Sequence, residues 1–479
     1  MATTTATNAA VTTTTTTTVA AATDVLPRNG GGRRLVLLPL PFQGHINPML
    51  QLANILHSKG FSITILHTRF NAPNPTNYPN FDFLPIPDVG LESHSLSDFA
   101  NVIRLVQHLN DNFMDPIRDC LARLMLEDAE VSCLITDAQW YATQKVADEL
   151  KLPRIVHRTS NISSFLSFTS FPLLRDMGYF RPFSDEELKS EALVPGLEPL
   201  KIKDLPKFMT SDPMGSCKLL EIMAEATKQA RAIIWNSFEE LEEDVLPTLR
   251  HGFPYPHFLI GPFHKYFHAS SSSLLAQDQT SISWLDKHPH NSVLYVSFGS
   301  LAMTEESQFL EMAWGLANSK QPFLWVVRPR SIQGSEWLEA LPDGFLEKIV
   351  EGRGYIVKWA PQQAVLAHPA VGGFLTHNGW NSTLESICEG VPMICSPCFG
   401  DQLPNARYVS DVWKIGVELE NGLERGEIEN SIKRLMVDKE GIEMRERVLN
   451  LKEKVNLCLK KGGSSYTSLE NLVDYILSF

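Results

Sequence analysis

Two hydrophobic periods take turns along this chain, and their alternation predicts its architecture. Arg34–Leu40 (RLVLLPL) is a continuous apolar run of the kind that forms a strand buried on both faces. Pro48–Lys59 follows with apolar residues at helical spacing (Met49, Leu52, Ala53, Leu56), and Gly60 closes it. Phe61–His67 (FSITILH) is the next buried run. Together these predict a βαβ unit, which demands a parallel sheet with a right-handed crossover. Val131–Thr136, Arg154–His157 and Ala232–Ser237 continue the series. A second series runs through Ser292–Phe298, Pro322–Arg328, Gly354–Trp359, Gly372–His377 and Pro392–Pro397. Within it, Thr304-Glu305-Glu306 opens a predicted helix striped by Phe309, Ala313 and Leu316.

The expected fold class is therefore α/β, with two Rossmann-like doubly wound domains and a cleft between them. His268–Ser281 (HASSSSLLAQDQTS) separates the two series and reads as a linker. The predicted division is a disordered leader over 1–32, a first domain over 33–264, a linker over 265–282 and a second domain over 283–455. A C-terminal helical segment, 456–479, is expected to pack back on the first domain. The leader is Thr- and Ala-rich and carries a single arginine, Arg28, before Arg33. That composition cannot bury a core, and disorder fits it better than plastid targeting.

Composition narrows the function classes. A chain of 479 residues is long enough for two full cores. Its net charge of −13, with no basic run longer than a pair, argues against nucleic acid as a partner. No apolar stretch reaches the length of a membrane-spanning helix. Seven cysteines in a chain of this size do not make a small secreted disulfide framework, so a reducing cytoplasm is the expected setting. A monomer is the expected state. Cys395 and Cys398 are spaced as CxxC but lack a second pair, and read as core or loop cysteines. The N-x-S/T sites at Asn161 and Asn381 read as coincidences.

Candidate chemistry gathers where the strands end. In an open parallel sheet, ligands bind beyond the carboxyl ends of the strands. Ser300, Trp359, His377 and the Cys398–Gln402 loop lie there in the second series, and His45 and Asp137 in the first. Gly372–His377 is followed by Asn378-Gly379-Trp380-Asn381 and a helix start, whose free N–H groups and positive dipole end suit a phosphate. His45 is a candidate general base, because a neutral imidazole can accept a proton from an attacking hydroxyl. Asp137 is the carboxylate best placed to orient it. The bland alternatives are a helix-terminal histidine and an aspartate capping the helix predicted over Ala142–Leu150. Hydride chemistry is disfavoured, because neither first turn (PFQGHINP, FGSLAM) carries GxGxxG.

Trp359–Gln402, together with FQGHINPMLQLA, LITDAQW and SVLYVSFGS, resembles the plant family-1 UDP-sugar-dependent glycosyltransferases from Arg33 onward. PLPFQGHINPML and SKGFSITILHT look closest to the subgroup containing steviol glycoside and cytokinin N-glucosyltransferases. The resemblance implies a GT-B fold, UDP-glucose as co-substrate, and no cofactor or metal. It implies that Trp359 stacks on uracil, that Gln362 hydrogen-bonds the nucleoside, and that Ala360 is among the donor-binding residues. Ser300, His377, Asn381 and Ser382 would meet the diphosphate, Glu385 the ribose, and Trp380, Asp401 and Gln402 the sugar. Ser382-x-x-Glu385 is also a capping-box pattern, which competes for Glu385.

The acceptor side is less sharply drawn. Gln43, Gln139, Trp140, Ser160, Ser164, Phe168, Leu205, Met209 and Gly400 are the candidate lining, in loops rich in Phe and small hydroxyl residues. Such a lining suits a medium-sized apolar molecule with a hydroxyl, such as a terpenoid, phenolic or hormone. The implied reaction is inverting transfer of glucose to that hydroxyl. Another UDP-sugar, an acceptor nitrogen, or UDP-sugar binding without catalysis are the alternatives.

Overall fold

The computed structural model describes residues 32–87, 89, 99–127, 130–178, 191–205, 213–267, 273–420 and 422–479. Residues 1–31, the 268–272 part of the expected linker and Met209 lie outside the described residues.

The first strand series forms a parallel sheet of seven strands. They are β1 (Arg34–Leu38), β2 (Ser62–His67), β3 (Phe81–Pro85), β4 (Val131–Asp137), β5 (Arg154–Arg158), β6 (Ala232–Trp235) and β7 (His257–Leu259), in the spatial order β3-β2-β1-β4-β5-β6-β7. The second forms a six-stranded parallel sheet of β8 (Val293–Ser297), β9 (Phe323–Val326), β10 (Gly354–Val357), β11 (Val371–Thr376), β12 (Met393–Cys395) and β13 (Gly416–Glu418). Its order is β10-β9-β8-β11-β12-β13. The doubly wound α/β expectation holds for both.

Both faces of each sheet are covered, which is why the strands read as unbroken apolar runs. Leu35 and Leu37 of β1 pack against Ile46, Met49 and Ala53 of the helix Gln43–Ser58, and against Leu472, Val473 and Ile476 of the last helix, Ser464–Leu477. Val36 and Leu38, one residue out of phase, face Leu109, Phe113 and Ile117 on the other side. β8 repeats the scheme. Its Tyr295 packs in the cluster of Leu384 and Ile387, while Leu294 and Val296 join Phe309, Leu316 and Ile432.

The hydrophobic pattern misses β3, β7 and β13. All three are sheet edges; β7 and β13 span only three residues each and β3 buries only Phe81, so none carries a long continuous apolar run. It also starts the first helix too late. The helix begins at Gln43, and Pro48, expected near its start, lies well inside it.

Candidate active site

The reversal of strand order falls between β1 and β4 in one sheet and between β8 and β11 in the other. The chain leaves all four strands at these points on one side, into a single cavity of about 660 Å³ between the two sheets. That volume is ample for a drug-sized ligand.

From the first sheet, His45 comes from the opening turn of Gln43–Ser58 and Asp137 from the last position of β4. His45 Nδ1 lies 2.7 Å from Asp137 Oδ2, with Asp137 almost fully buried. Thr159 Oγ1 adds a 3.2 Å contact to the same ring nitrogen. Asp137 Oδ1 accepts the Gln139 N–H at 2.9 Å. Burial pushes the Asp137 carboxyl up, but the charge and hydrogen bond of His45 and the Gln139 N–H outweigh it, so its net shift is downward. An ionised Asp137 requires the hydrogen on Nδ1 and leaves the Nε2 lone pair for a substrate proton. The capping alternative fails, since Asp137 bonds none of the N–H groups of Thr143–Glu149, whose N-cap is Ala142.

From the second sheet, His377 follows β11 and is clasped by two glycines. A Cβ on Gly299 or on Gly379 would lie 2.6 Å from its ring. Burial, with Arg328 second, lowers His377 to about 4, so at neutral pH it offers a hydrogen bond and not a charge. The helix Trp380–Glu389 starts immediately after, with Gly379 as N-cap and no side chain on its first N–H groups. Ser382 is thus its third residue and not a cap, which removes the capping-box reading. Glu385 instead turns to the cavity and accepts Gln362 Nε2 at 2.7 Å and Gln363 Nε2 at 2.9 Å. Gln402 uses Oε1 to accept the Cys398 and Phe399 N–H groups, leaving its amide N–H₂ for a ligand.

The cavity wall includes His45, Asp137, Ser300, Trp359, Ala360, Gln362, His377, Trp380, Asn381, Ser382, Glu385, Asp401 and Gln402. Two of these are partly committed across the cleft. Trp380 Nε1 donates to Asn236 O at 2.8 Å, and Asn381 Nδ2 to Gly44 O at 2.7 Å. On the acceptor side Gln43, Gln139, Ser160, Phe168 and Gly400 line the wall.

Three acceptor expectations are corrected. Trp140 is fully buried behind the wall and donates Nε1 to Pro39 O, because its large apolar face serves the core beneath β1. Ser164 is turned to Asn405 Oδ1 at 3.1 Å, and Leu205 packs with Leu174 and Val194 away from the cavity. The sequence reading overlooked Arg158, Tyr295, Gln277 and Gln279. Arg158 carried a signal, a charged residue closing an apolar strand, whereas Gln277 and Gln279 are placed only by tertiary contacts. Their segment is pinned by Leu274 N–H to Gln43 Oε1 at 2.6 Å and by Asp278 N–H to Trp359 O at 2.9 Å. Cys395 and Cys398 are free thiols, and the Asn161 side chain is buried as a helix cap, in keeping with the expectations for both. Among the described residues, no group of three or more His, Cys, Asp or Glu side chains is placed to hold a metal ion. None of their helices is long and apolar enough to cross a membrane.

The family model described as UDP-glucoronosyl and UDP-glucosyl transferase matches residues 199–452. UDP-glycosyltransferase 76B1 of Arabidopsis thaliana is 54% identical over 93% of this chain and 98% of its own length. This chain belongs to the plant UDP-glycosyltransferases. UDP-glycosyltransferase 76G1 of Stevia rebaudiana is 52% identical over 93% of the chain and 97% of its own, which agrees with the subgroup resemblance. Among solved structures, Phytolacca americana UGT2 complexed with UDP-2fluoro-glucose and pterostilbene superposes with TM-score 0.79 at 29% identity, covering 93% of this chain and 99% of that one. Medicago truncatula UGT71G1 complexed with UDP-glucose gives 0.79 at 26%, over 94% and 99%. The glycosyltransferase is thus a GT-B enzyme that transfers a sugar from a UDP-sugar.

Proposed function

We propose that this UDP-glycosyltransferase moves glucose from UDP-glucose to a hydroxyl of a small, largely apolar plant metabolite, giving a β-glucoside. The observation that carries this reading is the His45–Asp137 pair, 2.7 Å apart at the cavity wall. The acceptor oxygen attacks C1 of glucose from the face opposite UDP and its proton passes to His45 Nε2. Asp137 steadies the imidazolium as it forms. The bond from C1 to the diphosphate breaks, and its electron pair leaves with UDP.

The departing charge meets the N–H groups opening Trp380–Glu389, with Ser300, His377, Asn381 and Ser382 around them. Trp359 stacks on the uracil with Ala360 and Gln362 at its edge, and Glu385 accepts the ribose hydroxyls. Asp401 and Gln402 hold the glucose, and Trp380 supplies apolar surface, its indole N–H being taken. Gln43, Gln139, Ser160, Phe168 and Gly400 surround the acceptor. The reading keeps a monomeric, cytoplasmic, metal-independent enzyme, with domains over 33–264 and 283–455.

UDP release from UDP-glucose against a panel of hydroxylated acceptors tests the function, with UDP-galactose and UDP-xylose as donor controls. His45→Ala is expected to lower the rate by about 10²–10⁴ while UDP still binds. Near-normal turnover by that variant would overturn the assignment of the base. UDP binding without release for every acceptor would favour a binding protein over a transferase.

A further inference from the structure

Among the described residues, Arg158 is the only arginine or lysine in the cavity wall, which otherwise presents Asp137, Glu385 and Asp401. It closes β5, one residue before the Thr159 whose hydroxyl touches the His45 ring. The residue is 8% exposed, and among the described residues its Nε has no hydrogen-bond partner. Its guanidinium carbon lies over the face of Phe165, 4.5 Å from the ring centroid. The neighbouring carboxylates are spoken for. Asp137 serves His45 and Gln139, and Asp401 accepts from Asn405 Nδ2 at 3.2 Å. Burial draws Arg158 down to about 10, with Asp137, Tyr255 and Asp401 opposing, so it remains cationic at neutral pH.

A cation buried without a hydrogen-bonded anion is costly to keep, and a guanidinium fork matches a carboxylate in shape. Arg158 also stands at a neck. Together with Gln139, Phe168 and Gly400 it lines a second cavity of about 130 Å³ that adjoins the first. Val106, Phe165, Leu219, Leu220 and Met223 give that annex an apolar wall, and among the described residues Arg158 is its single charge.

We propose that Arg158 binds an acceptor carboxylate, so that the enzyme's preferred acceptors are hydroxy acids whose apolar part enters the annex. The proposal rests on His45 acting as the base described above. The carboxylate is a spectator in the reaction. The hydroxyl oxygen gains the bond to C1, UDP leaves with the electron pair, and the proton goes to His45. The product is an anionic glucoside. Arg158 is thereby a specificity-determining residue.

The test uses the full chain with UDP-glucose and pairs of acceptors that differ only as carboxylate and carboxamide. Mandelate and mandelamide serve as the shortest pair, with longer hydroxy acids and their amides beside them, and a neutral phenol as reference. Product is measured by mass spectrometry and UDP release. For at least one pair, kcat/KM is expected to be tenfold or more higher for the acid, mainly through KM. Arg158→Met should bring the acid-to-amide ratio close to one, whatever its absolute rate, and Arg158→Lys should restore part of it. Equal use of acid and amide by the wild type overturns the proposal, as does an unchanged ratio in Arg158→Met. Turnover of the phenol but of no acid overturns it while leaving glucosyl transfer intact. Absence of turnover with every acceptor overturns both. Should Arg158→Met fail to fold, judged by loss of its UDP-induced thermal shift, the wild-type ratios and Arg158→Lys decide.

Discussion

Glu242 shows how far a single buried residue can depart from its ordinary chemistry. It is 2% exposed and accepts Ser237 Oγ at 2.8 Å and the Ile162 N–H at 3.2 Å. Burial raises its carboxyl to about 7 despite these donors. A folded value above the unfolded one means a contribution that is complete below the unfolded value of about 4.5 and lost as pH rises through about 7. The loss by pH 8 is on the order of 3 kcal/mol. Glu242→Gln is therefore expected to raise the melting temperature at pH 8 and change it little at pH 5. A stabilisation equal at both pH values would contradict the shift. At this scale the chemistry of the site was partly legible. Asp137 stood out because a carboxylate closing an apolar strand is unusual, and His45 because it opens the helix just beyond one, whereas Trp140 misled because an indole suits a core as well as a ligand.

The helix Gln43–Ser58 carries an instructive irregularity. Pro48 has no N–H, so the Gly44 carbonyl one turn earlier loses its intrahelical donor. Asn381 Nδ2 replaces that donor from the opposite lobe at 2.7 Å. The proline is thus tolerated inside the helix because a residue of the sugar-nucleotide lobe completes it. Pro48→Ala and Asn381→Ala are expected to be coupled. With Asn381 gone, Gly44 O is left unpaired at a cost of about 1 kcal/mol or more, and Pro48→Ala returns a donor to it. A thermal double-mutant cycle measures this, and additive effects would refute it. The sequence pattern put the helix start at Pro48 because the helical apolar spacing is first seen at Met49. Only the packing of Ile46 shows the helix already formed before it.

Across the whole molecule the two lobes are joined by buried polar contacts as well as by the linker. Asp204, in the 3₁₀ turn Ile202–Asp204 on the first lobe's side, receives Arg407 Nε at 2.7 Å and Nη2 at 2.9 Å, with both side chains nearly inaccessible. Glu418 lies 3.1 Å from the same guanidinium. Ser164 to Asn405 and Lys265 to Glu389 cross the same divide. Removing one partner of a buried pair strands the other charge, so Asp204→Ala is expected to destabilise by roughly 3 kcal/mol, lessened by Glu418. Calorimetry should show a lower melting temperature, and an unchanged one would mean that the lobes are held without this pair.

The sequence by itself determined the α/β class, ten of the strands and the side of each sheet on which chemistry could lie. Those features follow from local periodicity and from the rule that parallel strands deliver ligand sites at their carboxyl ends. Tertiary structure alone decided the edge strands β3, β7 and β13, which are too short or too exposed to leave a long continuous pattern. It also decided that Arg158 stands in the cavity while Trp140, Ser164 and Leu205 turn away. Which way a side chain faces at the end of a strand depends on what packs behind it, and that partner is supplied by residues far away in the chain.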